Sequence, residues 1–209
     1  MGYHRAGFDV VGFDIEPQPR YPFDFFQADL LDVLPNRAFL AGFDAVHISP
    51  PCWSESDLRH RTGVDYPDLL TPTIELLAEL DTPWVIENVD STDKLPGALI
   101  LCGASFGLGA RCADGVWRPL RRHRRFASNM PLMGAGCACS NRQPVGVYGN
   151  GGGGQMGRGY KATLAEAREA LGIEWMNRAE ISQAIPPAYT QHIGEQLLLA
   201  RLVDGAVAS

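Results

Sequence analysis

The chain of 209 residues has no uninterrupted apolar run near the roughly 18 residues that a membrane-crossing helix requires. Its opening, Met1-Gly2-Tyr3-His4-Arg5, has none of the apolar stretch of a secretory leader, so a soluble cytoplasmic protein is expected. The five cysteines (Cys52, Cys102, Cys112, Cys137, Cys139) are odd in number and scattered, which argues against a disulfide framework. There is no internal repeat. Net positive charge is lacking too, and the formal charge of −6 does not by itself suggest a nucleic-acid partner. With 45% hydrophobic residues, the chain can bury one ordinary core, which makes a single domain the default.

What is present is unevenly distributed. Arg118, Arg121, Arg122, Arg124 and Arg125, with His123 among them, place five guanidiniums within eight residues. An acidic chain with one dense basic segment is compatible with a single anion-binding face. Four short runs, Val10–Ile15, Phe25–Asp29, Ala45–Ser49 and Trp84–Val89, have the continuous apolar character of parallel strands covered on both faces. Between them, Leu70, Ile74, Leu77 and Ala78 fall on one stripe of a helix over Leu69–Leu80. This alternation predicts an α/β sheet, whose ligands bind beyond the carboxyl ends of the strands. After about residue 100 the alternation fades. Gly146–Tyr160 reads as a mobile glycine-rich loop. Thr163 with Glu166 forms a capping box for a helix ending at Leu171 before Gly172, and a last amphipathic helix follows Pro186-Pro187, from about Tyr189 to Val203.

Two segments carry chemistry. Ser49-Pro50-Pro51-Cys52-Trp53-Ser54-Glu55-Ser56 follows a buried run and presents a cysteine where α/β sheets do their chemistry. A thiolate attacks carbon readily near neutral pH. Taken alone, Cys52 is equally a structural cysteine in a proline turn. Glu87, flanked by apolar residues at the end of the next run, suits a proton donor whose pKa is raised by burial, and it is also a common kind of strand-end ion-pairing residue. The arginine cluster, taken alone, is also a solvated charged turn.

Pro50-Pro51-Cys52 resembles the nucleophile motif of DNA cytosine-C5 methyltransferases of the compact phage or bacterial type. Glu87-Asn88-Val89 is similar to their ENV motif, and Arg122-His123-Arg124 before Phe126 resembles their RxR motif. Gln183-Ala184-Ile185-Pro186-Pro187, with Tyr189 and Ile193-Gly194, resembles the closing motif, and the similarity runs from Met1 to about Leu199. The resemblance implies a Rossmann-like fold that uses S-adenosylmethionine, with a cofactor and catalytic core over 1–126. It also implies a reduced target-recognition region over 127–180 and a closing segment over 181–203. Cys52 would add to C6 of a flipped-out cytosine while Glu87 holds and protonates N3. Arg122 and Arg124 would neutralise charge on O2, and Asn88 would orient the surrounding loops. On the cofactor side it implies Asp14 at the ribose, Ile15 on the adenine and Asp29 at the adenine amino group, with Pro51, Gln183 and Ala184 completing the pocket. Double-stranded DNA is the implied partner, touched by Trp53, Ser54, Arg118, Arg121 and Arg125. No membrane and no obligatory protein partner are expected.

The sequence departs from that pattern in three ways. The first strand and glycine-rich cofactor loop of the family have no counterpart before Met1-Gly2-Tyr3-His4, which resembles the helix after that loop. An internal start, or a truncated form with weak or no cofactor binding, is therefore expected. Only about 55 residues lie between Phe126 and Ile181, little for a recognition domain. Leu120 stands where the family often has glutamine. Cys137-x-Cys139 is a weak zinc signal, with Cys112 and His123 as candidate extra ligands, and no metal is assigned. Two alternatives remain: a non-catalytic DNA-binding homologue, and another one-carbon transferase acting at a pyrimidine C5.

Overall fold

The computed structural model describes residues 1–52, 66–148 and 159–207. In chain order, helix α1 (Gly2–Ala6) precedes strands β1 (Val11–Asp14) and β2 (Asp24–Gln27), helices α2 (Leu30–Val33) and α3 (Arg37–Leu40), and strand β3 (Val46–Ile48). Helix α4 (Leu70–Ala78), β4 (Trp84–Val89), β5 (Leu99–Leu101) and a 3-10 turn (Gly103–Phe106) follow. The remainder is β6 (Gly109–Arg111), β7 (Trp117–Pro119), β8 (Arg124–Ser128), β9 (Val145–Gly146), β10 (Tyr160–Lys161) and helices α5 (Leu164–Leu171), α6 (Arg178–Gln183) and α7 (Pro187–Val207). This is a mixed α/β fold with several small sheets. No described helix is long and apolar enough to cross a membrane.

The chain forms two compact units, each assembled from separate segments. The first comprises Met1–Asp9, Leu101–His123 and Ala135–Glu195; the second comprises Val10–Ile100, Arg124–Gly134 and Gln196–Ser209.

In the second unit, β3 and β4 run parallel and β8 joins β4 antiparallel, within a sheet of order β3-β4-β8-β5. Its core packs Ile48 and Ile86 of the sheet against Leu70 and Leu77 of α4, with Leu34, Leu40, Leu80 and Leu95. Each such side chain contributes about 1.5–3 kcal/mol by leaving water. The buried stripe of α4 differs from the expected one by a residue. Thr73 is buried and Ala78 is exposed, because Thr73 Oγ1 donates to the Leu69 carbonyl at 2.7 Å and so enters the core already hydrogen-bonded.

The expectation that all four apolar runs are covered on both faces fails for the first two. β1 and β2 pair parallel in a sheet of their own, and no described strand joins β1 to β3. Without flanking strands, Phe13 and Phe26 stay exposed on the pair and stack on each other at 5.7 Å between ring centroids.

The first unit is built from short strands and helices around Ala110, Leu120, Val145, Val147, Leu171, Ile173 and Ile181. Here the glycine-rich stretch is not loop throughout. Gly146 and Tyr160, at its two ends, belong to the parallel pair β9–β10; residues 149–158 between them lie outside the described residues. The capping box of α5 is as expected, with Thr163 Oγ1 accepting from Glu166 N–H and the Glu166 carboxylate accepting from Thr163 N–H at 2.6 Å. The same carboxylate also accepts from Ala113 N–H at 2.7 Å and from the Tyr160 hydroxyl at 3.0 Å. Burial works to raise the Glu166 pKa, but the donors from Thr163, Tyr160 and Ala113 outweigh it and hold the carboxyl below its ordinary range. Glu166→Ala should therefore cost about 1–3 kcal/mol in urea denaturation, because it removes the charged acceptor of the Thr163 and Ala113 N–H groups and of the Tyr160 hydroxyl as well as the cap.

Candidate active site

The candidate site lies at the carboxyl ends of β3 and β4 in the second unit. Ile48 pairs with Ile86, so the chain leaving β3 through Ser49-Pro50-Pro51-Cys52 runs beside Glu87, Asn88 and Val89. Two consecutive prolines offer no N–H to a neighbour, so at Pro50 and Pro51 the backbone can be held only through carbonyls. Asn88 supplies the tether. It is 1% exposed, its Nδ2 donates to the Pro50 carbonyl at 3.2 Å, and its Oδ1 accepts from Val89 N–H at 2.9 Å. Cys52 is half-buried and not disulfide-bonded.

Strand alternation sorts the remaining groups. Ile48, Ile86 and Ala127 face the core packed under α4. The opposite face carries His47, Glu87, Arg124 and Phe126. Glu87 stands across from Phe126 in the β4–β8 register, and Arg124 lies two residues along β8, a diagonal neighbour on the same face. Arg124 Nε meets Glu87 Oε1 at 2.9 Å, and Glu87 is only 6% exposed. The result is a buried carboxylate with its countercharge in place, beside the strand that ends in Pro-Pro-Cys.

His47, on β3, sits edge-on to Phe126 with ring centroids 6.2 Å apart, and its Nε2 lies 3.2 Å from Ser49 Oγ. Burial lowers its pKa to about 4, so the imidazole is neutral at physiological pH.

The arginines of the cluster divide between the two units, Arg118, Arg121 and Arg122 in the first and Arg124 and Arg125 in the second. Arg118 makes a bidentate pair with Asp114, both contacts at 2.7 Å, and lies over the Tyr160 ring at 4.4 Å. This pairing holds the Asp114 carboxyl down at about 2. Arg121 donates to the carbonyls of Ser140 and Arg142. Arg122, 1% exposed, donates to the carbonyls of Val147 at 3.0 Å and Ser182 at 2.7 Å, while its own carbonyl accepts from the Tyr189 hydroxyl at 2.6 Å. Arg125 Nε donates to the Asp90 carbonyl at 2.9 Å. Within the second unit, Arg124 reaches Glu87. Arg122 belongs to the first unit and is buried there, whereas Arg124 belongs to the second.

Of the residues assigned to the cofactor, Asp14, Ile15, Asp29 and Pro51 belong to the second unit and Gln183 and Ala184 to the first. Asp14 and Asp29 stand at and just beyond the carboxyl ends of the adjacent parallel strands β1 and β2, with Ile15 58% exposed beside Asp14. Asp14 accepts from Glu16 N–H at 2.9 Å and from Gln18 Nε2 at 3.1 Å, and Asp29 caps α2 by accepting from Leu31 N–H at 2.9 Å. Pro51 is half-buried next to Cys52. Gln183 ends α6 in the first unit, followed by Ala184, which packs on that unit's core. Trp53 and Ser54 lie outside the described residues.

A second cluster was only half visible in the sequence. Cys102, His123, Cys137 and Cys139, all in the first unit, bring one donor atom each to within 4.8 Å of one another. Cys102, not Cys112, completes the set. Cys112 is buried in the hydrophobic core, its thiol directed at the Ala110 carbonyl. Nothing in the spacing singles out Cys102, which lies on a different segment from the Cys-x-Cys pair. Within the cluster, the Cys139 N–H and His123 draw the Cys137 thiol down to about 7, whereas partial desolvation of its sulfur, with the Cys102 and Cys137 thiols beside it, pushes Cys139 up to about 12.

Removing one partner of the Glu87–Arg124 pair leaves an uncompensated buried charge, so Glu87→Ala or Arg124→Ala should each cost about 3–5 kcal/mol. The Glu87→Leu/Arg124→Met double variant should cost less than the sum in a denaturation cycle. His47 generates a pH dependence. The unfolded chain takes up a proton near the ordinary 6.5, the folded chain only near 4, so protonation favours unfolding. Stability should be full above pH 6.5 and fall toward pH 4 by up to ~1.4 kcal/mol per pH unit, and His47→Gln should flatten that slope in thermal melts across the window. Compared with models of known protein families and with curated proteins, the chain matches none.

Proposed function

We propose that the chain is a DNA cytosine-C5 methyltransferase with Cys52 as its nucleophile. One observation carries this reading: Asn88 ties down the Pro-Pro-Cys turn while its neighbour Glu87 is paired with Arg124. Three motifs far apart in sequence thus meet at the ends of adjacent strands. Each residue type suits a step of one reaction. Cytosine C5 is a poor nucleophile, and addition of the Cys52 thiolate to C6 makes it enamine-like. Glu87 in its protonated form holds N3 and donates its proton as negative charge develops on the ring, and Arg124, its ion-pair partner, neutralises the resulting carboxylate and offers a cation to O2. Once C5 carries the methyl group, loss of its proton to solvent water expels the thiolate from C6, and the N3 proton returns to Glu87. Asn88 is a positioning residue, acting through the Pro50 carbonyl. For Arg122 the resemblance implies a share in neutralising the charge on O2. The base must leave the stack before C6 is accessible, at a cost of a few kcal/mol.

The cofactor implied by this chemistry is S-adenosylmethionine, which supplies the methyl group. The β1–β2 edge fits its adenosine half: two carboxylates for ribose hydroxyls and the adenine amino group, and the exposed Ile15 side chain for the adenine ring. The parallel pairs β1–β2 and β3–β4, with functional residues at their carboxyl ends, support a Rossmann-like reading of the fold. The isolation of β1–β2 in its own sheet favours a second reading, a DNA-binding homologue that uses cofactor weakly.

Duplex DNA carrying 5-fluorocytosine distinguishes the two, because fluorine at C5 blocks the elimination that would release the thiolate. With S-adenosylmethionine present, the wild-type chain should form a denaturation-resistant adduct mapping to Cys52, and Cys52→Ser should form none. On ordinary DNA, methylation should drop to background in Cys52→Ser. Methylation at the wild-type rate in that variant would rule out the covalent route, and DNA binding without an adduct would favour the homologue.

A further inference from the structure

We propose that Cys102, His123, Cys137 and Cys139 form a closed, structural zinc site within the first unit. Three thiols and one imidazole, with no carboxylate, are the donor set of a Cys3His zinc centre and unsuited to calcium or magnesium. Bonds of about 2.3 Å to sulfur and about 2.0 Å to nitrogen give a tetrahedron with edges of roughly 3.5–3.8 Å. The cluster has that scale: Cys102 Sγ to Cys139 Sγ is 3.3 Å, Cys139 Sγ to His123 Nε2 is 3.4 Å, and Cys137 Sγ to His123 Nε2 is 3.5 Å. A disulfide would need about 2.05 Å between sulfurs. Four protein ligands leave no open position, so the site is structural and not catalytic.

The surrounding chain explains what a metal does here. Residues 135–143 are all exposed and contain neither helix nor strand, so no hydrophobic burial holds them in place. Even so, the segment is organised around its cysteines. Gly136 takes a positive φ of 72°, its carbonyl accepts from Ser105 Oγ at 2.9 Å, and Ala138 N–H donates back to the same oxygen at 3.0 Å. Arg121 donates to the Ser140 carbonyl, which places a cation one residue beyond Cys139 to offset the negative charge of three thiolates on one Zn2+. Binding would release the thiol protons to solvent and cross-link the Cys-x-Cys segment to Cys102, after β5, and to His123, between Arg122 and Arg124 in sequence.

The test uses the full chain purified under reducing conditions without chelator, and no readout depends on methyl transfer. Elemental analysis should find one zinc per chain. Cobalt exchanged into the site should give tetrahedral ligand-field bands with thiolate-to-cobalt charge transfer. Cys137→Ser/Cys139→Ser should lower zinc content at least tenfold, while Cys112→Ala should keep one zinc. Wild-type protein that is metal-free with its thiols reduced and takes up no cobalt would overturn the proposal. So would a Cys102–Cys139 disulfide mapped by mass spectrometry, or zinc retained in the double variant. The wild-type measurement decides by itself if a variant fails to fold.

Discussion

A carboxylate buried at the end of a central strand has to be given a cation, and the way Glu87 obtains one constrains the sheet around it. Arg124 reaches Glu87 because β8 runs antiparallel to β4 with Phe126 opposite Glu87. A slip of one residue would send Arg124 to the core face, among Ile48, Ile86 and Ala127, and strand both charges. The ion pair therefore specifies register as well as holding the carboxylate. The next residue, Asn88, points to the other face and fixes the Pro50 carbonyl, so one strand end orders both the acid and the turn that presents Cys52.

The first unit solves a different problem. Its strands are only two or three residues long, so many of its carbonyls have no sheet partner. Guanidiniums with several fixed donors meet that need. Arg122 bridges the Val147 and Ser182 carbonyls, Arg121 those of Ser140 and Arg142, and Arg118 clamps Asp114. A segment that reads as a basic patch along the chain is, when folded, largely a set of internal braces.

The cysteines divide by the same logic of surroundings. Cys112 is packed among apolar side chains, Cys52 sits half-buried after the proline turn, and the other three converge on His123. The same side chain serves as core filler, candidate nucleophile or candidate ligand, depending on what the fold brings beside it.

Features set by near neighbours were legible in the sequence. β4 spans the expected Trp84–Val89, because its apolar run is bounded by residues that end a strand, and the Thr163–Glu166 capping box closes within four residues. The turn at Pro50-Pro51 and the positions of Glu87 and Asn88 at a strand end were readable for the same reason. The sequence did not disclose the exposure of Phe13 and Phe26, the pairing of Gly146 with Lys161, the burial of Thr73 or the arrival of Cys102 beside Cys139. Each of these depends on which distant segment lies alongside, or on whether a buried hydroxyl finds a partner, and periodicity and spacing carry no record of either. The sequence by itself determined the local elements and the residue types able to do chemistry. Only the tertiary structure decided that Arg124 serves Glu87, that Arg122 serves backbone carbonyls, and that three of the five cysteines share a histidine, because those choices are made by contacts between segments far apart in the chain.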